Sequence, residues 1–429
     1  MAINIPESNQ KRVVIVGAGF GGFTLAKKLA KKNFQVVLLD RNNYHQFQPL
    51  FYQVAMAGLE PSSISFPLRK AFQRNKNVFI RVTNVHEVMA AKNEIVTDLG
   101  ILSYDYLVLA MGADTNFFGN EKLAEKTFPL KSVSEAIALR NALFDDYEKA
   151  ITEPDYDHRQ GFIDIVIVGG GATGVEIAGA LAEMKKYIVP KDYGELNPKE
   201  IDIYLMQGAD KLLKGMSEKA STDARKFLEG LGVIVKTNSR VVDFDGEKVS
   251  LKDGTQIPTR KVIWAAGIKA NAIKGIDEEH YGWGNRVLVD RQNKIKGSEN
   301  IYAIGDMALM KTDLYEHGHP QVAQVALQQA KMLAKNMVNL EAQKEVMAFE
   351  YKDLGSMATI GRNKAVCDLP KFKFSGWFAW IMWLMVHLFS LIGTKNKLFV
   401  FINWIWNYFT YDQSLRLIIK PSKREKLNS

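Results

Sequence analysis

Residues 12–22 read RVVIVGAGFGG and residues 163–174 read IDIVIVGGGATG, and these two stretches decide the fold. Each is an apolar strand, over residues 13–16 and 163–168, that runs into a glycine turn and opens a helix. Gly17, Gly19 and Gly22 hold the G-x-G-x-x-G positions of the first, and Gly169, Gly171 and Gly174 those of the second. In such a turn the first glycine makes the bend and the second lets backbone N–H groups approach a pyrophosphate. The third lets the helix pack on the strand while its positive end faces the negative charge. One copy is weak evidence, because glycine-rich strand-to-helix turns also occur without a ligand. Two copies at equivalent βαβ positions imply two dinucleotides in one chain, hence electron transfer between cofactors.

The residue ending the second strand of each unit refines this, since a carboxylate there accepts hydrogen bonds from the adenosine ribose. The first unit ends QVVLLD at Asp40, near the expected spacing of about 20 residues. In the second unit a helix over 174–186 leads to a polar insertion, 187–200, and a strand over 201–206 that ends at Gln207. The usual bias against a 2′-phosphate is therefore missing, and NADPH stays open beside NADH.

Further along, a loop over 45–61 and a strand over 78–83 precede YDYLVLAMGA, an apolar strand ending at Gly112. A helical stretch, 132–150, leads into the second βαβ unit, which continues through VIVKTNSRVVDF to VIWAAG, ending at Gly267. IYAIGDMA, residues 301–308, closes the pattern and contains Gly305 and Asp306. The expected fold is α/β: two Rossmann-like dinucleotide-binding domains, the second inserted in the first, plus a C-terminal amphipathic, membrane-anchoring helical region. The expected boundaries are 1–115 and 285–347 for the first domain, 116–284 for the second and 348–429 for the anchor.

Composition excludes several chemistries. The chain of 429 residues is 47% hydrophobic with 32 glycines, ordinary for a globular α/β protein. The stretch MAINIPESNQKR lacks the apolar region of a secretory signal, so residence in the cytoplasm is expected. The one cysteine, Cys367, cannot form an intrachain disulfide, which excludes electron transfer through a redox dithiol. The histidines are scattered, and His317 with His319 lacks further ligands nearby, so no metal site is expected. Nothing points to nucleic acid.

The order GAGFGG, LVLAMGA, VGGGATGVE, IWAAG and IYAIGD resembles flavoproteins with two dinucleotide-binding domains, FAD in the first and a nicotinamide cofactor in the second. Within that class HQFQPLFYQVA, AQVALQQA and GSMATIG are similar to type II NADH dehydrogenases, single-subunit NADH:quinone oxidoreductases that do not pump protons. The resemblance implies that Asp306 bonds the ribityl or pyrophosphate region of FAD, that Glu176 sits beside the nicotinamide, and that Pro49 and Leu50 lie near flavin or quinone. It places the quinone at Ala323, Gln324, Ala326 and Gln328. Independently, Gln324 and Gln328 stand at i and i+4, so a helix there puts both amides on one face, able to donate to a quinone carbonyl. A soluble reductase of a ferredoxin-like carrier and an NADH-sensing binding protein are the alternatives.

Residues 374–393 read FSGWFAWIMWLMVHLFSLIG, and LFVFINWIWNYFTY follows after TKNK. From Lys371 to Ser429 nine Lys and Arg face two Asp and Glu, so +7 of the formal +9 lies here and anionic lipid is the expected partner. The first run approaches the length of a span, about 20 residues. Gly376, Ala379, His387, Ser390 and Thr394 fall near one helical face, and Asn396, Asn403 and Asn407 form a polar stripe on the next. That pattern favours helices lying in the membrane interface, at the cytoplasmic face of the cell membrane, over a spanning hairpin or a dimer interface. A homodimer is left open.

Overall fold

A computed structural model describes residues 3–412 and 415–419. The chain divides into two compact units, one of residues 1–46, 65–114 and 268–353, the other of 47–64, 115–267 and 354–429.

The first unit is built on a five-stranded sheet ordered Ile301–Ala303, Tyr106–Leu109, Arg12–Val16, Gln35–Asp40 and Val78–Val82. Every neighbouring pair is parallel. Strands buried on both faces need unbroken apolar runs, and VVIV and VVLL supply them. Val14, Val16, Val37, Leu39, Leu107, Leu109, Ile301 and Ala303 pack in one core cluster. The helix Phe20–Leu29 follows the first glycine turn and packs on the helix Ala323–Glu341. An antiparallel meander, Val85–Met89, Glu94–Thr97 and Gly100–Ser103, completes the frame.

The second unit repeats the scheme with four parallel strands ordered Ile234–Lys236, Ile203–Met206, Ile165–Val168 and Lys261–Trp264. Its approach helix, Val133–Ala150, starts at a capping box in which Ser132 and Glu135 satisfy each other's backbone N–H groups. Residues 163 and 164 precede the strand: Ile163 ends a short helix, Tyr156–Ile163. The stretch 187–200 is less polar than its composition suggests, because Ile188, Val189, Tyr193 and Leu196 recur at helical spacing and are buried.

The C-terminal part of this unit is a three-stranded antiparallel sheet, Ser356–Thr359, Ala365–Asp368 and Lys373–Ser375, then helices Trp377–Ser390 and Thr394–Thr410. The sheet docks on the helix Ala172–Tyr187 at Gly179, where a Cβ would lie 2.7 Å from the Gly361 nitrogen, so a side chain there would push the two apart. No described helix is long and apolar enough to cross a membrane. At 14 and 17 residues the two apolar helices fall short of the roughly 20 needed.

Candidate functional site

The two glycine turns are near copies at atomic detail. Gly17 and Gly169 have φ of +101° and +112°, and a Cβ on either would lie 2.4 Å from a carbonyl oxygen, of Ala110 and Ala265 respectively. A Cβ on Gly22 or Gly174 would lie 1.9 Å from the oxygen of Gly17 or Gly169. Gly19 and Gly171 are the opposite case: nothing lies within 4 Å of where their Cβ would be. Each is the N-cap of its helix, with no side-chain cap and no acidic residue in the first turn. First-turn N–H groups without a side-chain cap, the positive end of the helix dipole and open space over a glycine make a cradle fitted to a pyrophosphate. FAD and a nicotinamide dinucleotide both carry that group, so the residues present fit both.

The side chains closing the turns correspond as well. Asp40 accepts from the Ala18 N–H at 2.6 Å and from the Asn42 N–H at 2.7 Å, and burial raises its pKa against those two bonds. Gln207 Oε1 accepts from the Gly170 N–H at 3.0 Å, while its Nε2 donates to the Lys211 carbonyl at 3.1 Å. Lys211 itself is ion-paired with Glu218. His45, buried and kept neutral by desolvation, donates through Nδ1 to the Ala18 carbonyl at 2.8 Å and so fixes the first turn from the other side. Sequence reasoning missed His45.

The strands expected to end at Gly112 and Gly267 stop earlier, at Leu109 and Trp264, and the two glycines stand three residues beyond them at φ +69° and +127°, backbone that glycine adopts without strain. Gly305 (φ +71°) and Asp306 open a 3₁₀ turn, Gly305–Met307. The Gly305 N–H donates to Gln329 Oε1 at 2.7 Å, and Gln329 is 1% exposed. Gln329 is therefore the third glutamine of AQVALQQA, unnoticed in the sequence, and it ties that helix to the turn carrying Asp306. Beneath Asp306, buried Arg286 donates to the carbonyls of Ala308 and His319; burial lowers its pKa to about 10 and the Asp306 charge opposes that shift.

Gln324 and Gln328 lie on the helix Ala323–Glu341 and both are half-buried. Gln328 is engaged at both ends of its amide, donating to the Lys352 carbonyl at 2.8 Å and accepting from the Lys352 N–H at 3.0 Å. His317 and His319 do not share an environment: His317 is exposed, whereas His319 is 2% exposed within ring contact of Tyr315, Phe349 and Tyr351.

Glu176 lies on the helix after the second turn, 8% exposed. Burial raises its pKa to about 8; the Thr359 backbone N–H and the Trp383 indole oppose the shift, although the indole N–H closes no hydrogen bond of normal geometry. Its charged form would also act on buried Tyr52. Glu176 is thus packed against the C-terminal sheet and the first apolar helix. On the same helix Glu183 accepts from the Arg362 N–H, and the Arg362 guanidinium donates to the carbonyls of Asn407 and Tyr408, capping the second apolar helix.

The segment 47–64 belongs to this same cluster. Pro49 and Leu50 form a 3₁₀ turn with Leu50 buried, leading into the helix Phe51–Ala55. Trp404 Nε1 donates to Gln53 at 2.7 Å, Asn407 to the Gly58 carbonyl, and Asn396 to the Ser62 carbonyl. Asn396 and Asn407 of the polar stripe therefore face protein, and the apolar face of the helix is outward. Leu398, Phe399, Phe401, Ile402, Ile405, Trp406 and Phe409 are each 43–77% exposed. The basic run after residue 419, and Ser429, lie outside the described residues.

Comparison with known proteins converges on one family. Residues 11–330 match the pyridine nucleotide-disulphide oxidoreductase model, and residues 354–411 match the NDH2 C-terminal domain. The chain is 33% identical over 413 residues to type II NADH:quinone oxidoreductase Ndh of Mycobacterium tuberculosis, covering 92% of this chain and 87% of that one. The structure of NDH2 from Plasmodium falciparum in complex with NADH superposes with a TM-score of 0.88 at 22% identity, covering 96% of this chain and all of that one. The sulfide:quinone oxidoreductase of Aquifex aeolicus shares the fold at a TM-score of 0.70 and 18% identity, over 97% of this chain and 94% of that one. This chain has one cysteine, buried Cys367, whose thiol desolvation pushes up to about 11, so an intrachain disulfide cannot form.

Proposed function

The chain belongs to the type II NADH:quinone oxidoreductases, and from that premise we propose how its residues divide the work of oxidising NADH and reducing quinone. FAD and NADH are the cofactors. FAD, when bound, supplies the hydride acceptor and the two-electron donor; the protein supplies binding, orientation and access.

The observation that carries this reading is the duplicated turn, each copy closed by the side chain ending the next strand. Gly17, Gly19 and Gly22 with Asp40 hold the FAD pyrophosphate and adenosine ribose; Gly112, Gly305 and Asp306 receive the rest of that cofactor. Gly169, Gly171 and Gly174 with Gln207 hold the nicotinamide dinucleotide, and Gly267 stands in the turn after the neighbouring strand. With no carboxylate at position 207, NADPH is admitted beside NADH. Glu176, held protonated up to about pH 8, is a buried acid able to give up a proton when its surroundings change. Gln324 and Gln328 present amide donors to the quinone carbonyls, with Gln328 also fixing the backbone at Lys352.

The quinone lives in hydrocarbon, and the outward apolar face of the helix Thr394–Thr410 suits the lipid surface. An apolar patch of this kind, backed by asparagines that bond within the protein, Asn396 and Asn407, suits an interaction site. We place the enzyme as a monotopic protein on anionic lipid at the cytoplasmic face of the membrane. A carrier of the ferredoxin type is not favoured as acceptor, because the C-terminal region matches the NDH2 domain. The test is direct: purify the yellow protein and measure NADH oxidation with and without a short-chain quinone. Turnover that quinone does not stimulate would refute the reading.

A further inference from the structure

The second unit carries a cavity of about 310 Å³ lined by Asn238, Ser239, Arg240, Leu251, Lys252 and Asp253. Its position in the sheet is informative. The Ser239 N–H donates to the Gln207 carbonyl and the Asn238 N–H to the Ala209 carbonyl, both at 2.9 Å. The lining segment therefore runs alongside residues 207–209, at the carboxyl end of the strand Ile203–Met206, on the side away from the glycine turn. In open α/β sheets ligands bind outside the carboxyl ends of the strands, so a dinucleotide whose pyrophosphate lies over Gly171 and whose ribose lies by Gln207 extends this way.

The charges there select a substituent. Lys211, the first cation after Gln207, is already paired with Glu218. Arg240 is exposed, and its Cβ lies 4.0 Å from where Gly208 would carry one, so no side chain separates it from residue 207's neighbour. Lys252 lines the same cavity, its N–H donating to the Arg240 carbonyl at 2.9 Å. Among the lining residues the opposing charge is Asp253, whose carboxylate accepts from the Thr255 N–H and lies within the field of Lys236. Buried Leu251 gives an apolar wall. Among the lining side chains two cations face one anion beside an apolar wall, which suits an adenosine bearing a phosphate.

We propose that this cavity receives the 2′-phosphoadenosine end of NADPH, with the Arg240 guanidinium as the group that recognises the 2′-phosphate. It rests on the reading that the second turn holds the nicotinamide cofactor. A planar guanidinium pairs with a phosphomonoester through charge-assisted bonds, and the phosphate carries nearly two negative charges at neutral pH. Arg240, from the following strand's loop, thus supplies the cation that Gln207 itself lacks.

The experiment compares adenosine 5′-monophosphate, adenosine 2′,5′-bisphosphate and inorganic phosphate as competitors of NADH with the intact flavoenzyme, in wild type, Arg240→Ala and Arg240→Lys. The bisphosphate should bind wild type more tightly than the monophosphate, Arg240→Ala should erase that margin, and Arg240→Lys should keep part of it. The ratio of kcat/KM for NADPH over NADH should fall about tenfold or more in Arg240→Ala. A bisphosphate margin that survives Arg240→Ala, a cofactor ratio that stays within about twofold, or equal competition by inorganic phosphate would overturn the proposal. If neither nucleotide competes with NADH, the assignment of the second turn fails as well, which separates the two ideas.

Discussion

Gln207 accepts a hydrogen bond from the Gly170 N–H at 3.0 Å, the counterpart, one βαβ unit later, of the bond Asp40 accepts from Ala18 at 2.6 Å. An amide thus does the structural work of a carboxylate without its charge. A carboxylate at this point would repel a 2′-phosphate, a like-charge contact costing several kcal/mol. Gln207→Glu should therefore lower kcat/KM for NADPH far more than for NADH. It also sets a carboxylate oxygen against the Lys211 carbonyl that Nε2 now satisfies, so both values should drop somewhat. The informative quantity is their ratio, and a ratio unchanged to within about twofold would mean that residue 207 does not face the ribose.

The two signature glutamines should behave differently. Gln324→Ala should slow flavin reoxidation by quinone several-fold to about tenfold, the effect of one lost hydrogen bond of about 0.5–1.5 kcal/mol, while reduction by NADH stays fast. Gln328→Ala should do the same and also lower the melting temperature, because it strips two bonds from the Lys352 backbone. Stopped-flow traces in which only the reductive half slows would remove both residues from the quinone site.

Glu176 makes a pH-dependent prediction for stability. Its folded pKa of about 8 lies above its unfolded value near 4.5, so the folded state holds the proton more tightly. Stability is complete below the unfolded pKa and declines as pH rises through the window between the two values. Glu176→Gln keeps the shape and removes the charge. The stability gap in favour of the variant should widen from pH 5 to pH 8; a gap that is flat across that range would show that the carboxyl is not protonated in the fold.

Membrane attachment is best probed on the outward face alone. Removing the chain from residue 374 would also remove buried Trp383 and the Trp404–Gln53 bond, so a deletion would confound anchoring with folding. Substituting Phe399, Ile402, Trp406 and Phe409 together with serine spares those contacts. Each fully buried apolar side chain is worth about 1.5–3 kcal/mol, so losing four should release a yellow, NADH-reducible protein from membranes. Undiminished sedimentation with lipid would contradict the assignment.

The parts of this architecture legible in the sequence were those specified locally. Gly17 and Gly169 declare themselves because a positive φ against a neighbouring carbonyl excludes other residues, and Asp40 because it ends an apolar run at a fixed spacing. Pairings far apart along the chain were not legible. Nothing near Gln53 announces Trp404, and nothing near Gly179 announces Gly361. The asparagines of the last helix were visible as a stripe, but periodicity gives a stripe no direction; the carbonyls of Gly58 and Ser62 turn it inward. Gln329 was hidden by its neighbour Gln328, since adjacent helical residues point to different faces and only contact tells which one reaches Gly305.

The most direct measurement is a double-mixing experiment on the holoenzyme with lipid vesicles containing quinone. Anaerobic NADH should bleach the flavin absorbance, and quinone vesicles should restore it at a rate that supports steady turnover. Flavin that is bleached by NADH and stays bleached in the presence of quinone vesicles would contradict the account.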